Sequence, residues 1–144
     1  LPADANRVGI FGHSMGGHGA ITLALKHPDK FHSVSAFAPI AAPRDCPWGQ
    51  KAFSGYLGDD RELWALHDSC ALLTSGRRCP PLLVDQGLSD QFLAEQLGID
   101  QLERVCKTLE QPLQLRRHAS YDHGYYFISS FMADHLAHHA QQLN

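Results

Sequence analysis

The fold is decided by one short stretch, Val8-Gly9-Ile10-Phe11-Gly12-His13-Ser14-Met15-Gly16. Its first four residues form an apolar run that favours a β-strand, and apolar residues recur at helical spacing through residues 17–25. The stretch therefore predicts a strand, a tight turn and a helix, with Gly-x-Ser-x-Gly at the turn. Glycine is expected on both sides of the corner because bulky neighbours would collide with the strained backbone there.

Ser14 at this turn is a candidate nucleophile. A strained corner holds its Oγ clear of the sheet, and the following helix directs free N–H groups and the positive end of its dipole to the same point. The alternative is an ordinary glycine-rich turn in which Ser14 caps the helix. The pentapeptide alone does not separate the two, so further catalytic groups have to be sought along the chain.

The composition is that of a globular protein, with 144 residues, 44% hydrophobic residues, 19% charged residues and a formal net charge of −3. This length suffices for one domain, predicted over residues 1–144. No block of like charge indicates a nucleic-acid or membrane partner, and no apolar run has the length of a membrane span. No secretory signal is present, and a chain that begins at Leu1 without Met leaves room for an upstream segment.

The cysteines and histidines predict neither disulfides nor a metal site. An even number of cysteines permits disulfides, but this composition favours free thiols in a reducing compartment: Cys46, Cys70, Cys79 and Cys106. Three histidines recur at helical spacing near the C-terminus: His135, His138 and His139. A solvated polar helix face is favoured over a metal site, because no carboxylate or cysteine lies at ligand spacing from them.

Strands and helices are expected to alternate along the chain. Strands are predicted at about residues 6–11, 33–38, 81–85 and 113–117, and helices at about residues 15–27, 60–73, 91–110 and 126–142. The last helix is expected to turn its apolar residues inward: Phe127, Phe131, Met132 and Leu136. This order predicts an α/β fold, a mostly parallel sheet with helices on both faces.

Residues 41–58 are predicted to be irregular because five prolines and glycines interrupt them. A long loop in a small domain is usually functional, and this one carries Trp48, Phe53 and Tyr56. These aromatic side chains either wall a pocket or pack into the core, and the sequence favours neither.

A serine nucleophile needs a histidine base and a carboxylate that orients the histidine. In an open parallel sheet such groups gather at the carboxyl ends of the strands. Asp90 follows the third predicted strand and His123 lies in the loop after the fourth, so both occur in the required order after Ser14. The alternatives are that Asp90 caps the following helix and that His123 merely hydrogen-bonds backbone.

Other acids and histidines are placed less well. Asp85 stands at the strand end itself, and Asp122 adjoins His123, where neighbours in an extended loop point apart. His118 is on or near the last strand, and His13 is beside the nucleophile.

Several stretches resemble S-formylglutathione hydrolase, the esterase D family of α/β-hydrolases. They run from residue 11 to residue 127: Phe11-Gly12-His13-Ser14-Met15-Gly16-Gly17-His18-Gly19-Ala20, Ser33-Val34-Ser35-Ala36-Phe37-Ala38-Pro39-Ile40, Cys46-Pro47-Trp48-Gly49-Gln50-Lys51-Ala52-Phe53-Ser54-Gly55-Tyr56-Leu57-Gly58, Asp85-Gln86-Gly87, Asp90-Gln91-Phe92 and Tyr121-Asp122-His123-Gly124-Tyr125-Tyr126-Phe127.

The resemblance implies the α/β-hydrolase fold, with Ser14 as nucleophile, Asp90 as orienting acid, His123 as base and the Met15 N–H in the oxyanion hole. It implies hydrolysis of the thioester S-formylglutathione in formaldehyde detoxification, by a cytoplasmic enzyme, often a homodimer, without a cofactor. A tight pocket for the formyl group is expected, with Trp48 as a wall.

Two departures from the family stand out. Gly124 occupies a position where the family commonly has serine, and family members are about twice as long, so this chain matches their C-terminal half. The first strand is then expected to expose an unpaired apolar edge, and the isolated chain is expected to have little activity because an oxyanion donor is absent. The alternatives to a formyl thioesterase are a general short-acyl carboxylesterase and an inactive hydrolase-fold binding module.

Overall fold

Four parallel strands form the sheet in the computed structural model, which describes residues 4–144. They pair in chain order: β1 (Gly9–His13), β2 (Ser33–Phe37), β3 (Leu82–Gly87) and β4 (Leu113–His118). Residues 1–3 of the predicted domain lie outside the described residues. The predicted α/β architecture is confirmed, and the strand bounds differ from the predicted ones by at most three residues.

Six helices connect and cover the strands: α1 (Met15–Lys26), α2 (Pro47–Leu57), α3 (Arg61–Ala65), α4 (Ser69–Thr74), α5 (Ile99–Thr108) and α6 (Tyr125–Leu143). A 3₁₀ turn at Pro43–Asp45 precedes α2, and a π-helical turn at Leu93–Leu97 precedes α5. Among the described residues, no helix is both long and apolar enough to cross a lipid bilayer.

Alternate side chains of each strand face opposite sides of the sheet. On β2, Ser33 and Ser35 contact α6, while Val34 and Ala36 join the apolar core on the other side. Helices α1, α4 and α5 are in contact in succession, and α1 and α5 also contact strands. The sheet therefore has α6 on one face and α1, α4 and α5 on the other, as the alternation predicts.

The outer edge of β1 is open. This strand starts at Gly9 rather than near Asn6, because the Arg7 N–H donates to the Asp4 carbonyl in a preceding turn (3.1 Å). Within the described part of the chain β1 pairs only with β2, and Phe11 keeps 48% of its surface exposed. An unpaired apolar edge is therefore present, as expected from the sequence.

The prediction that residues 41–58 are irregular is wrong for most of this segment, since α2 occupies Pro47–Leu57. Pro47 suits the first helical position, where no N–H is needed. At the other end, Gly58 adopts a φ of +77° and its N–H donates to the Ser54 carbonyl. Gly49 lies so close to the 3₁₀ turn that a Cβ there would be 2.2 Å from the Pro43 carbonyl oxygen. Gly58 therefore ends the helix, and Gly49 allows the close approach of Pro43.

The two predicted middle helices are each divided. Between α3 and α4 the buried Asp68 carboxylate accepts the Ala71 N–H and caps α4. Residues 91–110 are divided at Gly98, which has a φ of +66°. A Cβ at Gly98 would lie only 2.9 Å from the Ala42 Cβ. Amphipathic periodicity continues across both breaks, so the sequence pattern alone did not reveal them.

The inner face of α6 is partly polar, which corrects the predicted solvated histidine face. His135 is fully buried and His139 is 8% exposed, whereas Leu136, predicted to point inward, is 56% exposed. His139 contacts the Ser33 and Ser35 hydroxyls (2.6 and 2.9 Å), and His135 contacts Ser35 (2.8 Å). Serines in buried strand positions thus meet the histidines, and these partners come from parts of the chain about 100 residues apart.

The stability of the protein is expected to fall on mild acidification because of His139. Burial, and then positive charge on His138 and His135, lowers the pKa of His139 to about 4 from 6.5. The unfolded chain therefore binds this proton more readily, so the stabilisation is present above pH 6.5 and is lost as the pH falls towards 4. Urea denaturation should show a loss of about 2 kcal/mol from this group between pH 7.5 and pH 5.

The matched comparison is His139→Gln against His27→Gln, which alters an exposed histidine at the end of α1. The free energy of unfolding of the His139→Gln variant should change less with pH than that of the other two proteins. An unchanged pH dependence in His139→Gln would contradict the assignment.

Candidate active site

Ser14 stands at a strained corner between β1 and α1, with φ +56° and ψ −114°. Its backbone is held on several sides: the N–H donates to the Phe37 carbonyl (2.9 Å), and the carbonyl accepts the N–H groups of His18 (2.9 Å) and Ile40 (3.3 Å). The hydroxyl makes no capping hydrogen bond to α1. The geometry therefore favours a presented hydroxyl over the alternative of a serine cap.

The two glycines of the pentapeptide differ in what they do. A Cβ at Gly12 would lie 2.3 Å from the Gly16 carbonyl oxygen, so no other residue fits there without moving the backbone. A Cβ at Gly16 would meet nothing within 4 Å. Steric need is thus found at Gly12 but not at Gly16, where both were expected from the sequence.

Asp90 and His123 are in direct contact. The His123 Nδ1 lies 2.6 Å from the Asp90 Oδ2, and the Asp90 side chain is fully buried. A carboxylate accepts only, so Nδ1 carries the proton and the Nε2 lone pair is left free as an acceptor. The second oxygen, Oδ1, accepts the Phe92 N–H (2.8 Å). Asp90 thus caps a local turn and also pairs with His123, so the capping alternative and the contact with the histidine occur together.

The loops carrying these residues meet because β3 and β4 are neighbours. The Leu88 N–H donates to the His118 carbonyl and the Ser89 N–H to the Tyr121 carbonyl, both at 2.9 Å. Gly87 allows this approach, since a Cβ there would lie 2.3 Å from the Tyr121 carbonyl oxygen. Adjacent parallel strands therefore bring a carboxylate and an imidazole together from positions 33 residues apart.

The imidazole of His123 lies beside the corner that presents Ser14. Its ring centroid is 4.4 Å from that of His13, the residue before the serine, and 4.9 Å from that of Phe92. Burial, and then positive charge on His123, lowers the pKa of His13, so this neighbouring ring stays neutral near pH 7. The Ser14 hydroxyl makes no hydrogen bond within the described residues and is free to bind.

A cavity of ≈ 560 Å³ opens beside Ser14, between α1 and α2. It is lined mainly by apolar and aromatic groups, among them Met15, His18, Ile40, Trp48 and Phe53. Its volume is within the range of small-molecule sites and far exceeds that of a formyl group. These residues alone therefore do not form the tight acyl pocket expected from the sequence.

Trp48 lines this cavity and is linked to His123 by the ring of Phe92. Its ring stacks on Phe92 with centroids 5.9 Å apart, and Phe92 in turn contacts His123 edge-on. The backbone N–H of Trp48 donates to the Gln96 Oε1 (2.9 Å). Phe92 is a site residue that the sequence reasoning missed, although its position two residues after Asp90 was a usable signal.

The less favoured acids are engaged elsewhere. Asp85 points to the α6 face, where it binds Arg116 and contacts His118 and His135. Asp122 accepts the Gly124 N–H (2.8 Å) and so closes the turn after His123. Both are therefore part of the scaffold in this arrangement.

The fold and this serine–histidine–aspartate arrangement define a hydrolase class. The model of the esterase family, described as "Putative esterase", matches residues 1–138, and the chain belongs to this family of α/β-hydrolases. Among solved structures, the chain is similar to an S-formylglutathione hydrolase from Agrobacterium tumefaciens, with 51% identity and a TM-score of 0.96. That match covers 99% of this chain and 51% of the other.

More distant structures share the fold alone. An S-formylglutathione hydrolase from Staphylococcus aureus is 24% identical with a TM-score of 0.68, covering 100% of this chain and 58% of the other. Esterase B from Lactobacillus rhamnosis is 17% identical with a TM-score of 0.73, covering 96% and 54%. The chain thus spans about half the length of each of these three structures.

Proposed function

We propose that this chain carries the catalytic triad of a serine hydrolase that cleaves S-formylglutathione to glutathione and formate, with Ser14, Asp90 and His123 as its members. The observation that carries the proposal is the 2.6 Å contact between His123 and Asp90 beside the strained Ser14 corner. The substrate is inferred from the 51% identity to an S-formylglutathione hydrolase.

Acylation begins when the Ser14 Oγ attacks the formyl carbonyl while the His123 Nε2 takes the hydroxyl proton. The tetrahedral intermediate collapses, the C–S bond breaks, and His123 returns the proton to the departing glutathione sulfur. Water then attacks the formyl-serine with His123 again as base, and formate leaves with Ser14 restored. Asp90 keeps the imidazole in the required tautomer and stabilises its cationic form.

Met15 supplies an oxyanion-hole N–H in this proposal. It occupies the first position of α1, where the helix offers its own N–H groups no carbonyl partner. The positive end of the helix dipole adds to the attraction for the developing oxyanion.

The cavity between α1 and α2 takes part of the substrate, with Trp48 as a wall. It is roomier than a formyl group needs and has Lys51 at its lining. A peptide-like leaving group with carboxylates suits such a site better than a small acyl group does.

The proposal extends to the setting of the reaction. A formyl thioester of glutathione points to formaldehyde detoxification in the cytoplasm, by an enzyme that forms homodimers. All four cysteines are free thiols, and three of them are buried, which fits a reducing compartment.

The substrate is tested by comparing kcat/KM for S-formylglutathione and for p-nitrophenyl acetate with the full-length protein that contains this sequence. We expect the thioester to be preferred at least about 100-fold, since the binding energy of a matched leaving group lowers the barrier. Equal or reversed values would instead assign a general carboxylesterase, the second candidate, which the esterase family match supports only weakly.

A further inference from the structure

Gln86 is buried at the carboxyl end of β3 and contacts the carboxylate that orients His123. Its side chain is fully enclosed, and its Nε2 lies 3.0 Å from the Asp90 Oδ2 and 2.9 Å from the Gly87 carbonyl oxygen. The Asp90 Oδ2 is the same oxygen that accepts the His123 N–H. One carboxylate oxygen therefore receives two donors, one from Gln86 and one from the imidazole.

The orientation of the Gln86 amide follows from its neighbours. Both atoms near Nε2 are acceptors, a carboxylate oxygen and a carbonyl oxygen, so reversing the amide would place oxygen against oxygen. In the orientation that results, the Gln86 Oε1 is buried and has no hydrogen-bond partner in the described part of the chain.

An unpartnered buried oxygen is costly and requires an explanation. A glutamine present only to fill space would be replaced at no loss by an apolar side chain of the same size. In Gln86 the Oε1 stays unpartnered, while the amide nitrogen donates a hydrogen bond to the Asp90 carboxylate.

We propose that Gln86 is a positioning residue for the reaction, whose amide holds the Asp90 carboxylate in place and shares its negative charge with His123. The inference rests on the proposed function, since it assigns Gln86 a part in the same site. With the Phe92 N–H on Oδ1 and Gln86 and His123 on Oδ2, both oxygens of the buried carboxylate are fixed.

Few other charged groups face the Asp90–His123 pair. From the end of β1, the His13 ring lies tilted against His123, with the ring centroids 4.4 Å apart. From the same loop, Asp122 adjoins it but is engaged with the Gly124 N–H. From the segment after β3, the ring of Phe92 contacts His123 edge-on, and Trp48 of α2 stacks on Phe92, so both nearby rings are uncharged. A change at Gln86 therefore acts on the His123 imidazole directly, through the Asp90 carboxylate.

The test, in the full-length protein that contains this sequence, is Gln86→Met, which keeps side-chain length and removes the donor. The matched control is Gln101→Met, because Gln101 makes an equivalent bond, Nε2 to the Asp45 Oδ2 at 3.0 Å, at an exposed place away from the site. We expect Gln86→Met to lower kcat about ten- to hundredfold with KM unchanged, since the residue does not touch substrate. The control should match the wild type.

A second readout separates positioning from a merely structural role. Without the amide, the negative charge of Asp90 acts more fully on His123, and a nearby opposite charge raises a histidine pKa. The acid limb of the kcat/KM profile should therefore move up by about 0.5 to 1 pH unit in Gln86→Met. A loss of activity without that movement would overturn the proposal.

The same shift is measurable without any substrate. NMR titration of the His123 ring Cε1–H, identified by its disappearance in His123→Gln, should show the raised pKa in Gln86→Met. If this shift appears while S-formylglutathione is not hydrolysed, the positioning role stands and the proposed substrate fails. An unchanged His123 titration overturns the positioning role whatever the substrate.

Folding is checked by thermal unfolding, with Gln86→Leu as a second apolar replacement of different shape. A folded Gln86→Leu should give the same shifts as Gln86→Met. If both variants unfold while Gln101→Met stays folded, Gln86 serves the structure alone and the proposal is overturned.

Discussion

Replacing Ser14 by alanine in the full-length protein that contains this sequence is expected to lower kcat for S-formylglutathione about 10⁴- to 10⁶-fold. The formyl group then has no oxygen to which it can be transferred, so only oxyanion binding and substrate orientation remain. The fold should be unaffected, because the Ser14 hydroxyl makes no hydrogen bond within residues 4–144 and the backbone contacts of the corner are unchanged. Steady-state kinetics together with thermal unfolding measures both effects.

The control is Ser129→Ala on the exposed side of α6, where the hydroxyl donates only to the Tyr126 carbonyl. It should retain wild-type kcat. A phosphonate that esterifies nucleophilic serines should add its mass to the wild type and to Ser129→Ala, but not to Ser14→Ala. Labelling of Ser14→Ala, or retention of a tenth of the activity, would remove Ser14 from the role of nucleophile.

Replacing Asp85 by alanine is expected to cost about 3–5 kcal/mol of the free energy of unfolding. Its fully buried carboxylate accepts two bonds from Arg116, at 2.6 and 2.5 Å, and lies 3.2 Å from His118 and from His135. Burial alone would raise the pKa of Asp85, but hydrogen bonds from His135, Arg116 and His118 hold it well below its usual range. Removing the carboxylate leaves a guanidinium and two imidazoles without their shared acceptor.

Urea denaturation at pH 7 measures this loss, and Asp134→Asn is its matched control. Asp134 binds the same Arg116 (2.7 Å), but its side chain is 55% exposed. An exposed ion pair contributes about 0–1 kcal/mol, so this control should lie close to the wild type. Equal losses in the two variants would show that burial of the Asp85 pair does not carry the stability.

The polar contacts around Asp85 also show why the buried histidine face of α6 could not be predicted from the sequence. Ser33, Ser35 and His139 belong to β2 and α6, elements that are distant along the chain. Each residue alone looks like an ordinary polar position in its own element. Because the serines of β2 supply hydrogen-bond partners, the histidine face of α6 is buried, while the apolar Leu136 points outward.

Contacts made by particular glycines explain why the sequence predicted some helices correctly and missed others. Helix α1, the four strands and α6 are predicted correctly by apolar runs and clear stop signals. Glycines such as Gly49 and Gly58 favour a loop in the sequence of α2, yet Gly49 is required by the approach of Pro43. The break at Gly98 likewise depends on contact with Ala42.

The strand–turn–helix corner with Ser14, the α/β alternation, and the order of Asp90 and His123 after their strands can all be predicted from the sequence alone. These are local or topological properties, since a strand end defines which edge of a parallel sheet a residue reaches. Other features depend on tertiary packing: the contact of Asp90 with His123, the contact of Gln86 with Asp90, the ring of Phe92 between Trp48 and His123, and the cavity beside the corner. Those features depend on distances between side chains from separate elements, and no pattern along a single chain specifies such distances.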